Sequence, residues 1–473
     1  MTARARKTRR RAGRAYVPTD LNPDQARAVA ELSAAIDRGD AACRLLGFAG
    51  TGKSFATVRL LRAYAHERPV LLTAPTNKAT AVLRAMAEAI GGQVASTTTH
   101  KALGLRPEVD EDRGQMRLKQ IRSPEIPDGA LVLVDEASMV DATLLRYIHA
   151  AAQAADAQLL FVGDPYQLPP IFAGESPAFA GAGVTARLTQ IVRQAADHPI
   201  LAMTARIRAA MDGGDMPYFT TQRHAAGSLI LLDSAAFETA LWSAFRNPRY
   251  AADPDDCRVL SWTNQRTRDY NRLLRRALLG ERADRDAMLP GEIVVACTPI
   301  PSARVNVGDF LTVEDALPVD HQGIPAYRAQ VQVNRDEVVE VFAVRPEGYA
   351  AYQEKLSSLV KTARALQREA EYRPLTDLED RRRREAWIDF FAFKDRSFVD
   401  LRPIHASTVH KSQGSTYRQV FVDLSDIGRN TRRDVLLRLL YVALTRARGD
   451  VVVTGKLPDR LYAADPTQDG VGG

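Results

Sequence analysis

Residues 47–54 combine the residue types that bind nucleotide phosphates. They read Gly-Phe-Ala-Gly-Thr-Gly-Lys-Ser and match the pattern G-x-x-x-x-G-K-[ST] in full. In such a loop, glycines let backbone N–H groups approach the phosphates, the lysine places a positive charge near the β- and γ-phosphates, and the serine hydroxyl ligates Mg²⁺. The pattern predicts a site for ATP and Mg²⁺ with these phosphate-facing residues: Gly47, Ala49, Gly50, Thr51, Gly52, Lys53 and Ser54.

Two adjacent acids follow an apolar run and supply the carboxylates that hydrolysis needs. Asp135 and Glu136 come directly after residues 131–134, which read Leu-Val-Leu-Val. Because phosphoryl transfer depends on positioning and charge neutralisation, we expect Asp135 to hold Mg²⁺ through water and Glu136 to polarise the attacking water. A third element, Gly-Asp-Pro-Tyr-Gln-Leu-Pro-Pro at 163–170, follows another apolar run, and we expect its Gln167 to sense the γ-phosphate.

The elements that must position these motifs are short apolar runs alternating with alanine-rich helical patterns. The runs occupy residues 44–48, 69–73, 130–134, 158–162 and 258–261. Strands that alternate with helices indicate a parallel sheet covered on both faces. Such sheets bind ligands beyond the carboxyl ends of their strands, which is where the three motifs fall. The sequence therefore predicts an α/β fold.

Two stretches depart from this pattern and predict insertions. Residues 104–122 contain a turn signal, Glu-Asp-Arg-Gly at 111–114. Apolar and polar residues alternate after it, at Met116 and Leu118, and this pattern predicts a small β-hairpin. From about 285 to 345, short β-branched runs separated by Gly, Pro and Asp predict a small barrel. Residues 347–392 are charged and helical, and the α/β pattern returns after residue 403. The middle block is therefore expected to interrupt a second α/β domain.

Composition limits the classes of protein that the chain can represent. Its 473 residues suggest two to four domains at roughly 100–200 residues each, and 26% charged residues are typical of a globular protein. No apolar run approaches the ~20 residues that span a bilayer, which argues against a membrane role. The three cysteines form no close metal-type pair, so we expect a reducing, cytoplasmic setting without disulfide or zinc frameworks.

The net charge of +7 is concentrated at the N-terminus. Residues 1–16 contain seven Lys or Arg residues and no acid, so the remaining chain is close to neutral. We expect a disordered basic tail, for which two roles stay open. It could strengthen non-specific phosphate binding through counterion release, or it could be a solvated extension with little role.

Eight segments, in their order along the chain, resemble the motifs of superfamily 1 helicases. The likeness is closest to the Dda and RecD-like group, which translocates 5′→3′, and it covers nearly all of the chain after residue 20. The segments are LNPDQ (21–25), APTNKA (74–79), TTTHKAL (97–103), GDPYQLPP (163–170), LTQIVRQ (188–194), WTNQRTRDYN (262–271), STVHKSQGSTY (407–417) and LLYVALTRAR (439–448).

The resemblance implies a fold of two RecA-like motor domains with ATP between them. It implies that Gln25 reads adenine, that Gly414 lies at the nucleotide, and that Arg193 and Arg446 neutralise charge on the γ-phosphate. It implies a strand-splitting pin at 104–122 and an SH3-like barrel with a helical tower at 285–400. The implied DNA contacts are Pro75, Thr76, Asn77, His100, Lys101, Thr263, Asn264, Thr408 and His410. The implied domains are a tail (1–16), a first motor (17–195) and a second motor (196–284 and 401–473) around the insertion.

The function that follows from the resemblance is an ATP-dependent DNA helicase acting in replication, repair or recombination. Its expected partners are single-stranded DNA and duplex forks, with single-strand-binding or replication proteins as further candidates, in a bacterial or phage-infected cell. Two alternatives remain open, namely a helicase that remodels RNA or RNA–DNA hybrids and a subunit of a nuclease or recombination complex. Residues 101–130 contain no Phe, Tyr or Trp, so the expected pin lacks an aromatic wedge.

Overall fold

The computed structural model describes residues 20–110, 115–170, 175–191, 198–334 and 336–462. The basic tail, Arg193 and the turn at 111–114 lie outside the described residues. Within them the chain forms two parallel sheets, one antiparallel sheet and one two-stranded hairpin. No helix of the described part is both long and apolar enough to cross a bilayer.

The first α/β unit occupies residues 20–191. Its helices and strands, in chain order, are α1 (Pro23–Arg38), β1 (Ala42–Gly47), α2 (Lys53–Arg62), β2 (Val70–Ala74), α3 (Asn77–Ile90), β3 (Val94–Thr98), α4 (Thr99–Ala102), β4 (Leu105–Asp110), β5 (Gln115–Gln120), β6 (Leu131–Val134), α5 (Ala142–Ala154), β7 (Gln158–Gly163) and β8 (Thr185–Leu188).

Six of these strands form a parallel sheet in the order β3-β2-β6-β7-β1-β8. Every residue of β1, β2 and β6 is buried, as expected for strands that have helices on both faces. Leu45, Leu72 and Leu133 pack on one face, and Val132 and Phe161 pack on the other. The prediction of an α/β fold with parallel sheets is confirmed.

The remaining two strands, β4 and β5, form an antiparallel pair that projects from this unit. Leu105 pairs with Gln120, and Asp110 pairs with Gln115. Gly104 precedes the pair with φ +63°, and a Cβ atom there would lie 2.2 Å from the carbonyl oxygen of Arg122. Only glycine combines this conformation with such a close approach, so it fixes the base of the hairpin.

The second α/β unit is assembled from two separate stretches of the chain. The first stretch contributes α6 (Pro199–Met211), β9 (Leu229–Leu232), α7 (Ser234–Phe245), α8 (Pro248–Ala252), β10 (Cys257–Ser261), α9 (Asn264–Leu279) and α10 (Arg282–Arg285).

The insertion follows α10 and contains the antiparallel sheet and two long helices. Its elements are β11 (Ile293–Ala296), β12 (Phe310–His321), β13 (Ile324–Asn334), β14 (Glu337–Val344), α11 (Tyr349–Tyr372), α12 (Asp377–Ala392) and β15 (Leu401–Pro403). The strand order is β14-β13-β12-β11-β15. The N–H of Val399 donates to the carbonyl of Phe342 in β14 at 2.7 Å, so the sheet curls until its two edges approach each other.

The second stretch completes the second unit with β16 (Ala406–Thr408), β17 (Tyr417–Asp423), α13 (Leu424–Ile427), α14 (Arg433–Thr445) and β18 (Ala447–Thr454). The sheet order is β16-β10-β17-β18-β9, and all of its pairs are parallel. On one face α6 packs against α14, and this core extends to Phe48 and Tyr166 of the first unit. The two units therefore meet at the phosphate loop.

Candidate functional site

The phosphate loop connects β1 to α2 through a tightly wound backbone. Gly50 and Gly52 adopt left-handed conformations with φ +85° and +79°. A Cβ atom on Gly47 would lie 2.7 Å from the hydroxyl oxygen of Thr51, whose hydroxyl donates to the Phe48 carbonyl at 2.9 Å. The loop ends at the N-terminus of α2, where unpaired N–H groups and the helix dipole favour an anion.

Lys53 and Ser54 are the first two residues of helix α2. The Lys53 ammonium donates to the carbonyls of Gly47 at 2.7 Å and Phe48 at 3.2 Å, so it rests on its own loop. The Ser54 side chain is exposed and accessible to a metal ion. A phosphate group entering the loop would provide the ammonium with a charged partner in place of two carbonyls.

Asp135 and Glu136 follow β6, which lies two strands from β1 in the sheet. Desolvation and the neighbouring charge of Glu136 raise the pKa of Asp135 to about 7, against the opposing charge of Lys53. Glu136 itself has φ +49°, a left-handed conformation that costs a non-glycine residue free energy. Two adjacent carboxylates at a strand end can supply an oxygen ligand for a divalent cation and a proton acceptor for water.

Gln25 touches the phosphate loop from helix α1. Its side-chain N–H donates to the carbonyl of Thr51 at 3.1 Å, and its side-chain oxygen accepts from the N–H of Asn22 at 3.2 Å. Asn22 and Gln25 together form the capping box that begins α1. Gln25, the residue expected to read adenine, is thus held beside the loop at Thr51.

The loop at 163–170 is bound by side chains of the second unit. The Tyr441 hydroxyl donates to Asp164 Oδ2 at 2.7 Å and accepts from the N–H of Ala49 at 3.0 Å, which connects this loop to the phosphate loop. Arg438 donates to the carbonyls of Pro165 and Gln167 at 2.5 and 2.8 Å. These contacts cross between the two units.

Gln167 and Gln413 lie at the same contact between the units. The Gln413 side chain donates to the carbonyl of Leu168 at 3.2 Å. Gln167 is buried, and among the described residues its side-chain oxygen has no hydrogen-bond partner. An unpartnered buried acceptor is costly, so a donor such as a water molecule or a ligand is expected there.

Arg446 is directed into its own unit. Its guanidinium donates to the carbonyls of Ser415 at 3.1 Å and Val442 at 3.3 Å, and the side chain is buried. The structure therefore places this expected γ-phosphate arginine on backbone carbonyls of the second unit, and Arg193 is not described. A different arginine, Arg208 of α6, has its guanidinium carbon 3.5 Å from the ring centre of Phe48.

The residues expected to contact DNA lie at or just beyond the carboxyl ends of two strands at one edge of each parallel sheet. In the first unit they follow β2 and β3, and in the second unit they follow β10 and β16. The nucleotide motifs instead follow β1, β6 and β7. A Cβ atom on Gly414 would lie 3.5 Å from the hydroxyl oxygen of Thr76. The structure therefore places Gly414 of the second unit beside α3 of the first unit. The resemblance implies that Gly414 lies at the nucleotide, and this role stays a prediction.

Several of these side chains already form hydrogen bonds within the protein. Thr76 accepts from the N–H of Ala79 and begins α3, and Thr408 accepts from the N–H of Lys411. The Thr263 hydroxyl donates to Asp426 Oδ1 at 2.7 Å, a partner that sequence reasoning missed.

The others differ in exposure. Lys101 and Asn264 are exposed, and Pro75 is half-buried. Asn77 donates to the carbonyl of Val307 in the insertion at 3.0 Å. Burial lowers the pKa of both His100 and His410, which favours neutral imidazoles that donate and accept.

A phosphate loop, a carboxylate pair and a second α/β unit in contact with the phosphate loop define a P-loop nucleotide-binding protein with two parallel sheets. Residues 20–223 match the family model described as "AAA domain", and residues 403–454 match "UvrD-like helicase C-terminal domain". Apart from Pro403, both matched stretches lie outside the insertion, in the parts of the chain that form the two α/β units.

Curated relatives match about a third of the chain. The chain is 40% identical over 160 residues to "ATP-dependent RecD2 DNA helicase" of Deinococcus radiodurans, covering 33% of this chain and 20% of that protein. It is 35% identical over 169 residues to "RecBCD enzyme subunit RecD" of Mycobacterium tuberculosis, covering 32% of this chain and 28% of that one. The chain thus spans less than a third of the length of either relative.

Solved structures of similar extent are also found. The Pif1 helicase of Candida albicans matches with a TM-score of 0.45 and 18% identity, covering 94% of this chain and 97% of that chain. A Pif1 structure described for unwinding at forked double-stranded DNA matches with a TM-score of 0.48 and 15% identity, covering 95% of each chain.

Proposed function

We propose that the chain is an ATP-dependent DNA helicase that translocates 5′→3′ along single-stranded DNA and unwinds the duplex ahead of it. The observation that carries the proposal is the contact of the second unit with both ligand surfaces. Tyr441 bonds to Ala49 at the phosphate loop, and Gly414 lies beside Thr76 at the expected DNA surface. A change at the first contact can therefore be transmitted to the second through the second unit, which makes both contacts.

The chain's own residues fit the hydrolysis of ATP with Mg²⁺. Ser54 and Asp135 would hold the metal, which when bound neutralises charge that develops on the phosphates. Lys53 binds the outer phosphates, and Glu136 orients and deprotonates the attacking water. Gln167 offers its unpartnered side-chain oxygen to that water, and Gln25 fixes the loop at the adenine end.

The grip on DNA uses backbone contacts without sequence reading. Hydroxyls, amides and neutral imidazoles on both sheets suit phosphate and sugar oxygens. Closure of the two units around ATP draws the DNA-contact residues of one unit toward those of the other, and opening after hydrolysis separates them. Alternating grip then moves the strand past the protein in one direction, which the likeness to RecD-like helicases assigns as 5′→3′.

Strand separation is assigned to the β4–β5 hairpin as a steric wedge. The pair is fixed at its base by Gly104, and Arg106 of β4 forms an ion pair with Asp395 of the insertion at 2.6 Å. We assign the curled sheet as an SH3-like barrel and α11 and α12 as a helical tower that supports the wedge. The domain limits and the cytoplasmic, bacterial setting given above remain part of this proposal.

A second candidate is supported by one relative. The match to a protein named as a RecBCD enzyme subunit favours a role within a larger recombination complex. In that case the same motor would act beside a partner protein that supplies nuclease activity.

The experiment that tests the proposal measures ATP hydrolysis with single-stranded DNA, with single-stranded RNA of the same sequence, and without polymer. A DNA helicase predicts strong stimulation by DNA and weak stimulation by RNA. Equal stimulation by both polymers would support the RNA alternative, and hydrolysis that no polymer stimulates would contradict a translocating motor.

A further inference from the structure

Arg208 lies between the two loops of the nucleotide site. It belongs to α6, which packs against α14 in the second unit. Its guanidinium carbon is 3.5 Å from the ring centre of Phe48 in the phosphate loop and 5.8 Å from the ring centre of Tyr166 in the 163–170 loop. The second unit thus presents a cation to the beginning of the phosphate loop.

The donors of this guanidinium are not used by described protein atoms. Its contacts within the described part of the chain are with the faces of the two aromatic rings. A cation over a ring face is attracted to it, but the contact leaves the N–H groups of the guanidinium plane free to donate. Those donors form the planar fork that matches phosphate oxygens.

Two neighbouring arginines of the second unit are committed elsewhere. Arg438 donates to carbonyls of the 163–170 loop, and Arg446 donates to carbonyls of its own unit. The charge of Arg208 also acts at the loop itself. Burial raises the pKa of Tyr441 well above its usual range, and Arg208 opposes that rise at the hydroxyl bonded to Ala49.

We propose that Arg208 is a further catalytic arginine that binds the terminal phosphate of ATP. The inference rests on the proposed function, because it requires ATP at residues 47–54. We assign the terminal phosphate because Arg208 meets the loop at Phe48, whose carbonyl accepts from Lys53, the residue expected near the β- and γ-phosphates. Phe48 holds the guanidinium beside the loop until the phosphate arrives.

The test compares Arg208→Gln with Arg206→Gln in the full chain. Arg206 is exposed on the same helix and serves as the matched control. Affinities for ADP and for the non-hydrolysable analogue AMP-PNP are measured in the presence of Mg²⁺. Loss of charge-assisted hydrogen bonds to the terminal phosphate predicts that R208Q weakens AMP-PNP binding about ten- to hundredfold and leaves ADP binding unchanged. R206Q should alter neither affinity.

A second variant, Arg208→Lys, keeps the charge and the aliphatic stem and loses the planar fork. It should weaken AMP-PNP binding less than R208Q does, and it provides a folded protein if R208Q does not fold. Equal weakening of both nucleotides would assign Arg208 a purely structural role and overturn the inference. Wild-type affinities in both variants would also overturn it while leaving the proposed function intact. Failure of the unaltered chain to bind either nucleotide would overturn both.

Discussion

The hydroxyl oxygen of Tyr441 lies 3.0 Å from the backbone nitrogen of Ala49, although the two residues are 392 positions apart in the chain. The same hydroxyl donates to Asp164, so one buried side chain of α14 contacts two loops of the nucleotide site. Phosphate loops use their backbone N–H groups to bind phosphates. Tyr441 therefore links the loop that binds ATP to the unit that must move.

Removing this hydroxyl should uncouple hydrolysis from strand separation. Tyr441→Phe leaves the ring packed and deprives both Asp164 and the Ala49 N–H of a partner. We expect fewer base pairs unwound per ATP hydrolysed, measured by parallel unwinding and phosphate-release assays on the same forked substrate.

The control for this variant is Tyr270→Phe. Tyr270 also donates to a buried aspartate, Asp423, but both residues belong to the second unit. Y441F should reduce the free energy of unfolding by about 1–3 kcal/mol, because Asp164 Oδ2 and the Ala49 N–H lose their partner. Y270F should reduce it less, because Arg266 still donates to Asp423 Oδ2. Only Y441F should change the ratio of unwinding to hydrolysis, and the same ratio in both variants would contradict the coupling role.

Lys53→Ala should abolish ATP hydrolysis without unfolding the chain. The ammonium contacts only loop carbonyls among the described residues, so its loss removes the charge that phosphates require and little packing. Hydrolysis is measured with saturating single-stranded DNA, and folding is checked by thermal denaturation. DNA-stimulated turnover that persists in K53A would move the catalytic site away from residues 47–54.

Glu136→Gln should bind ATP in the presence of Mg²⁺ and turn it over very slowly. The amide keeps the shape of the side chain and removes the base that accepts the proton of water. Glu125→Gln, at an exposed glutamate of the same unit, provides the control. Near-normal hydrolysis in E136Q would assign the base to another residue.

The ion pair between Arg106 and Asp395 should matter for unwinding and not for translocation. Exposed ion pairs contribute only ~0–1 kcal/mol to stability, so Arg106→Asp should stay folded. It should lower the unwinding rate and spare ATP hydrolysis stimulated by single-stranded DNA, because the wedge loses its contact with the insertion. The double variant Arg106→Asp/Asp395→Arg should recover unwinding, and a double variant no better than R106D would exclude the ion pair as a support.

Acid should destabilise the second unit through His405. Desolvation lowers the pKa of this buried imidazole to about 3, and its Nδ1 shares a hydrogen bond with the Tyr250 hydroxyl at 2.7 Å. In the unfolded chain this imidazole binds a proton near pH ~6.5. The stability that the neutral His405 contributes is therefore present above that pH and is lost as the pH falls from about 6.5 toward 3. Urea unfolding across this range should show the loss in the wild type and a shallower loss in His405→Asn. Parallel pH profiles for both proteins would contradict this assignment.

The parallel sheets were predictable because their strands are continuous apolar runs next to recognisable loops. Residues 131–134 and 158–162 needed no tertiary information, since each run leads directly into a motif. The curling of the antiparallel sheet depends on a hydrogen bond between Val399 and Phe342, which no local pattern encodes.

The contacts between the units could not be predicted for a similar reason. Tyr441 and Gln413 belong to motifs, and Arg438 directly precedes one. Their partners lie more than 200 residues away and depend on how α14 docks against the first unit. The same docking places Gly414 beside Thr76 and Arg208 over Phe48. Arg208 belongs to a segment without a recognisable motif.

The most direct test of the central claim is unwinding of two partial duplexes that differ only in the end that carries the single-stranded tail. Both have the same duplex sequence and tail length, and both are assayed with ATP and Mg²⁺. The proposed motor predicts strand separation of the 5′-tailed substrate and none of the 3′-tailed one, with no activity in K53A on either. Separation of the 3′-tailed substrate alone would reverse the assigned direction, and failure on both with active ATP hydrolysis would contradict a helicase that unwinds DNA unaided.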